Sequence, residues 1–154
     1  MKKVALLLIC LIIGFLPSVS AVFVSTGEWY TKLDKPPLNP PAWVFGPAWT
    51  ILYLLIGLSL FLFLCKDVSW KDRRTGIVLF TLQHLLNFSW TPVFFHFHSM
   101  IAAFAIILAM LVLIALTAWN FYRHSHASGI LMVPYLAWVL FASYLNLSLI
   151  LLNR

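Results

Sequence analysis

Charged residues punctuate this chain at long intervals, and the stretches between them predict its elements. Residues 4–27, 36–65, 75–122 and 124–153 contain no Asp, Glu, Lys or Arg. A helix rises about 1.5 Å per residue and the hydrocarbon core of a bilayer is roughly 30 Å thick, so each stretch is long enough to cross it. Residues 75–122 would make a helix of roughly 72 Å if unbroken, and must fold back. The polar group His96-Phe97-His98-Ser99, just past Pro92, marks the turn. The pattern therefore predicts five spans, near 4–25, 43–65, 74–95, 100–122 and 128–152, with a long first loop at 26–42. Short segments of alternating polarity, the mark of a membrane β-barrel, are missing, and unpaired backbone is prohibitively costly in lipid. The expected fold is all-α, a single integral membrane bundle of five helices over residues 1–154, capped by its first loop.

Composition agrees. The 154 residues are 63% hydrophobic and 9% charged, against about 25% charged in soluble chains. The net charge of +6 comes from short loops and implies no nucleic-acid partner. With five spans, Lys2, Lys3, Lys66, Lys71, Arg73, Arg74 and Arg123 share one side, and Lys32, Lys35 and Arg154 the other. The positive-inside rule then places the N-terminus in the cytoplasm and the first loop outside a cell membrane. Met1-Lys2-Lys3, an apolar run and Ser18-Val19-Ser20-Ala21 also have the parts of a secretory signal. The run continues through Val22-Phe23-Val24, giving a full spanning length, so it is expected to remain a span. Cys10 and Cys65 have apolar neighbours and are expected to pack as small hydrophobes.

The first loop and the start of the second span hold three tryptophans and five prolines between Trp29 and Tyr53. Pro36-Pro37 and Pro40-Pro41 stiffen the loop and lower the entropy lost when it orders. It reads as a rigid, aromatic lid. Trp29, Trp43, Trp70 and Trp119 lie near span ends, where tryptophan normally anchors at the interface. Trp49, Trp90 and Trp138 fall inside spans, each with companions at helical spacing: Phe45, Trp49 and Tyr53 on the second helix, Gln83, Asn87 and Trp90 on the third, Tyr135, Trp138, Ala142 and Asn146 on the fifth. Amides in hydrocarbon are costly without partners, so Gln83, Asn87 and Asn146 should face the bundle interior, either as hydrogen-bonding glue or as ligand contacts. Aromatic walls with a few amides and a small Ala142 suit a flat, mostly apolar ligand under the lid.

Other chemistries lack their residues. His96-x-His98 and His124-x-His126 point to different sides at that spacing and have no supporting carboxylate or cysteine cluster, so no metal site is expected. His84 is expected to be a hydrogen-bonded core residue. Glu28, Asp34, Asp67 and Asp72 all fall in loops, which disfavours a proton-coupled exporter, and a small-solute transporter, the other alternative, would lack a charged or water-lined path across the spans. No nucleophile pairs with a base.

Three segments resemble the TspO/MBR family, the tryptophan-rich sensory proteins of bacteria and the mitochondrial translocator protein. They are W-Y-x-x-L-x-K-P-x-x-x-P-P-x-W-x-F-G-P-x-W-x-x-L-Y at Trp29–Tyr53, L-N-x-x-W-x-P-x-F-F at Leu86–Phe95, and P-Y-L-A-W-V-x-F-A-x-x-L-N at Pro134–Asn146. The resemblance implies five helices around a lidded pocket, homodimers, and binding of porphyrins (protoporphyrin IX and haem) and of synthetic isoquinoline-carboxamide ligands, with no further cofactor. It carries pocket roles onto Tyr30, Trp49, Tyr53, Asn87, Trp90, Trp138, Ala142 and Asn146; Phe45 joins them by the helical stripe alone. It implies a sensor or scavenger of porphyrins in the membrane or, alternatively, light- and oxygen-dependent porphyrin breakdown with Trp49 and Trp138 as electron donors. Mitochondrial members carry a sterol-recognition tyrosine near the end of the last helix. Here that region reads L-N-L-S-L-I-L-L-N-R, which weighs against tight sterol binding.

Overall fold

The computed structural model describes residues 2–22 and 27–154, and among them no strand occurs. Five helical stretches are long and apolar enough to cross a membrane: Lys2–Val22, Ala42–Leu64, Trp70–Phe95, Met100–His124 and His126–Leu152. Those are the five expected spans, with the turn at 96–99 where the polar cluster placed it. Residues 23–26, which include the expected end of the first span and the start of the lid, lie outside the described residues.

The first span is α1 (Lys2–Phe15), a 3-10 turn at Leu16–Ser18 and α2 (Val19–Val22). Pro17 lies in the turn and has no N–H to continue the helical ladder. Two hydroxyls take carbonyls there: Ser18 donates to Phe15 O at 2.7 Å and Ser20 to Pro17 O at 2.8 Å. The loop expected at 26–42 is partly helical, since α3 covers Gly27–Lys32 before the proline-rich stretch begins. α4 (Ala42–Leu64) is the second span. α5 (Trp70–Phe95) begins four residues before the expected start, because Ser69 caps it, accepting from Asp72 N at 3.1 Å. α6 is Met100–His124; the fifth span divides at Met132 into α7 (His126–Leu131) and α8 (Val133–Leu152), with Pro134 in the first turn of α8.

The helices close into a ring. α1 packs on α4, α4 on α7, α7 and α8 on α6, α6 on α5, and α5 returns to the 3-10 turn and α2. The order around the bundle is first, second, fifth, fourth, third. Two glycines set the α1–α4 crossing: a Cβ on Gly57 would lie 2.8 Å from both Cys10 O and Leu11 Cα, and one on Gly14 would lie 2.6 Å from Tyr53 O. Where lipid supplies no hydrophobic drive between helices, such close approach and interhelical hydrogen bonds hold them together. α4 meets α7 through a reciprocal pair in which Ser59 Oγ donates to Ser128 O at 2.7 Å and Ser128 Oγ to Ser59 O at 2.6 Å. Past α7 the backbones of α4 and α8 approach at few points, and aromatic side chains fill the space between them. Cys10 is buried as expected, whereas Cys65, at the end of α4, is exposed.

Candidate functional site

The lid-side half of the ring holds an aromatic cluster drawn from four of the five spans. On α4, Trp49 and Tyr53 stack at 5.2 Å between ring centres; Phe15 of α1 meets Tyr53 at 5.6 Å. Across from them on α8, the Trp138 ring stands edge-on to Trp49 at 6.4 Å and to Phe45 at 6.1 Å, and Tyr135 meets Trp49 at 6.3 Å. On α5, Trp90 stacks on Phe94 at 5.1 Å. The stripes read from helical spacing therefore do converge: Phe45, Trp49, Tyr53, Tyr135 and Trp138 form one cluster, with half-buried Ala142 one turn beyond Trp138. Two surface clefts lie elsewhere, one of about 370 Å³ along α1 at Leu11–Val19 and one of about 310 Å³ between His98–Ile101 and Ile150–Arg154.

The amides behave in two ways. Gln83 and Asn87 are buried and bonded between helices: Tyr53 Oη donates to Asn87 Oδ1 at 3.5 Å, Asn87 Nδ2 donates to Tyr135 Oη at 2.8 Å, and Tyr135 Oη donates to Gln83 Oε1 at 2.9 Å. Asn87 thereby ties α5 to both α4 and α8. Asn146 is different. It is 2% exposed, and among the described residues neither Nδ2 nor Oδ1 has a hydrogen-bond partner. Trp90 Nε1 is likewise buried and unpaired. A buried amide left unsatisfied costs about 1–3 kcal/mol. Trp90 packs on the cluster of Phe94, Ala103 and Leu149, and Leu149 lies one helical turn from Asn146.

The lid docks on the same end. Trp29, expected as an interface anchor, is half-buried; it stacks on His98 at 4.3 Å and meets Phe94 edge-on at 5.5 Å. His98 adopts a left-handed backbone, φ 52°, a conformation uncommon outside glycine. Trp43, Trp70 and Trp119 are exposed, as interface anchors are. Tyr30 packs edge-on against Phe94 at 6.1 Å and Phe95 at 5.5 Å and donates to Asn39 Oδ1 at 3.4 Å. Burial pushes its phenol above the ordinary tyrosine value, partly opposed by that bond, so it stays neutral. Of the lid cations, Lys32 pairs with Glu28 at 3.2 Å in solvent, and Lys35 lies 5.0 Å from the Tyr30 ring centre.

Sequence patterns left two features of this end unseen. Asn153 clamps the lid: its Oδ1 accepts from Asp34 N at 2.9 Å and its Nδ2 donates to Asp34 O at 3.0 Å. The partners are 119 residues apart, and the only hint was a polar residue ending an apolar run. Phe15 was hidden because an aromatic in an apolar helix carries no sign of which neighbour it will meet. His84 is buried and bonded, as expected, with Nδ1 2.6 Å from Gln83 Nε2. Among the described residues no group of three His, Cys, Asp or Glu could hold a metal.

Comparison with known proteins matches the sequence to a family. A model of the TspO/MBR family fits residues 6–152. The chain is 44% identical to the tryptophan-rich protein TspO of Archaeoglobus fulgidus over 99% of this chain and 97% of the relative. It is 36% identical to the tryptophan-rich sensory protein of Cereibacter sphaeroides (89% and 84%) and 35% identical to the human translocator protein (77% and 71%). The chain belongs to the TspO/MBR family and is a multi-pass membrane protein.

Proposed function

We propose that this TspO/MBR member is a porphyrin-binding sensor of a cell membrane, taking a tetrapyrrole such as protoporphyrin IX or haem among Trp49, Trp90 and Trp138 beneath the first loop. The observation that carries this reading is the Asn146 amide, 2% exposed and without a partner among the described residues on either polar atom, together with the buried Trp90 Nε1, likewise unpaired among them. A purely structural amide would be expected to find partners, as Gln83 and Asn87 do. A ligand carrying polar groups on a flat apolar body meets both needs: rings for the tryptophans, and acceptors or donors for Asn146 and Trp90. Tyr30, Phe45, Tyr53, Asn87, Trp138 and Ala142 complete the enclosure. Synthetic isoquinoline-carboxamides offer the same combination. In this reading the N-terminus is cytoplasmic, the lid faces outside, and the protein works as a homodimer.

A second reading is light- and oxygen-dependent porphyrin breakdown, with Trp49 and Trp138 as electron donors beside the photoexcited ligand. Their edge-to-face approach at 6.4 Å favours it, since two adjacent indoles can share an electron hole. One titration separates the readings: purified protein with protoporphyrin IX, first dark and then illuminated in air, followed by tryptophan fluorescence and porphyrin absorbance. Saturable quenching with a stable spectrum supports the sensor. Loss of the porphyrin bands under light, abolished in Trp49→Phe and Trp138→Phe, supports breakdown. Unsaturable quenching would sink both.

A further inference from the structure

The hydrogen bonds among Tyr53, Asn87, Tyr135, Gln83 and His84 all run in one sense. Gln83 has one amide oxygen, and it accepts from Tyr135 Oη at 2.9 Å. Its Nε2 therefore faces His84 Nδ1 at 2.6 Å as donor. In this sense the imidazole receives that N–H on an unprotonated Nδ1 and carries its proton on Nε2; the ring lies near the backbone of Ile13, Gly14 and Phe80, and Nε2 has no hydrogen-bond partner among the described residues. With the Tyr135 hydrogen directed at Gln83, or alternatively at Met110 Sδ at 3.6 Å, the phenol oxygen can only accept from Asn87 Nδ2, at 2.8 Å. The Asn87 oxygen is then turned to Tyr53, whose hydroxyl donates to it at 3.5 Å. Every member is buried, so water cannot readily reverse one link alone.

We infer that His84 is a positioning residue for the ligand site: through Gln83, Tyr135 and Asn87 it fixes the hydrogen-bonding sense of Tyr53, which then shows the ligand an acceptor and not a donor. The inference rests on the reading of this cluster as a ligand site, and it adds a specificity rule to it. A favoured ligand offers a donor at Tyr53 and an acceptor at Trp90 Nε1. Moving the imidazole proton to Nδ1 would turn Gln83 over, reverse every link and leave Tyr53 donating outward. The selectivity of a site on α4 and α8 is thus set by a tautomer on α5. His84 also stacks on Phe80 at 4.2 Å, which holds the ring in place while leaving its nitrogens to the chain.

The test has one arm without ligand and one with it. In protein labelled with ¹⁵N at histidine, the His84 signal should show Nδ1 unprotonated and Nε2 protonated; a protonated Nδ1 overturns the inference outright. In the second arm, protoporphyrin IX is titrated into wild type, His84→Phe, which keeps the ring on Phe80, Gln83→Met, and the double variant. Each single variant should weaken binding about 5- to 10-fold, and the double variant no more than either one, because both cut the same chain. Additive losses, or unchanged affinity in the singles, would mean that packing alone matters and overturn the inference. If wild type fails to bind protoporphyrin IX, it is the porphyrin reading that falls, and the His84 tautomer still decides whether the chain runs as inferred.

Discussion

The two ends of the bundle solve the problem of joining helices differently. Away from the lid, backbones meet closely: Gly57 brings α4 onto α1 at Cys10 and Leu11, and Ser59 and Ser128 exchange hydrogen bonds between α4 and α7. Gly76 of α5 lies so near Phe63 and Asn120 that a Cβ would sit 2.7 Å from the Phe63 ring and 2.6 Å from Asn120 Oδ1. Phe63 and Phe121 stack at 4.2 Å in this layer. Toward the lid, α4 and α8 part and indoles and phenols occupy the gap. Backbone contact leaves no freedom to rearrange. Side-chain filling does, because rings and amides can turn or give way without moving a helix. The contrast is not complete, since Asn120 Oδ1 and His124 Nε2 at the close-packed end are also buried and unpaired. Asn146, however, has both polar atoms unpaired, and it stands beside the aromatic cluster.

The largest effect that would break this comparison is expected at the glycine crossing. Gly57→Leu puts a side chain into the Cys10 and Leu11 backbone, and should destabilise the bundle by about 3 kcal/mol or more, measured by thermal unfolding in detergent. A small change there would mean that the helices can part, and that the rigid end is not rigid. Asn146→Leu should move in the opposite direction: it removes an unsatisfied amide and should raise stability by about 1 kcal/mol while lowering protoporphyrin IX affinity. A loss of stability would instead show the amide satisfied in the membrane, and would weaken the case for a ligand there. Ser59→Ala should cost about 0.6 kcal/mol, the average for an interhelical hydrogen bond in a membrane, with ligand affinity unchanged. Asn153→Ala should leave unfolding nearly as it was, but speed porphyrin release several-fold in a stopped-flow dissociation, because the lid loses its clamp on Asp34. Equal release rates would show that lid docking rests on Trp29 and Tyr30 alone.

Residue patterns exposed much of this molecule and hid a definable part of it. The spans were legible because crossing a membrane demands uninterrupted apolar length, and the turn at His96–Ser99 followed from arithmetic on residues 75–122. The stripes of Phe45, Trp49 and Tyr53 and of Tyr135, Trp138 and Asn146 followed from helical spacing. The helical turn at Gly27–Lys32 was hidden by the prolines that follow it. The docking partners of Trp29, Phe94 and His98, were not legible because they lie more than sixty residues away.

What the sequence by itself determined is therefore the local and the periodic: an all-helical membrane bundle, five crossings, the side of each loop relative to the others, and the three faces that carry aromatics and amides. Only the tertiary structure decided which amide is glue and which is left open. Gln83, Asn87 and Asn146 are equivalent in composition and all face inward, and their difference arises from what the neighbouring helix presents. Tyr135 comes within reach of Gln83 and Asn87, while no hydrogen-bonding group among the described residues reaches Asn146. Hydrogen bonds act over about 3 Å. Periodicity selects a helix face, but the last few ångströms depend on how the helices cross.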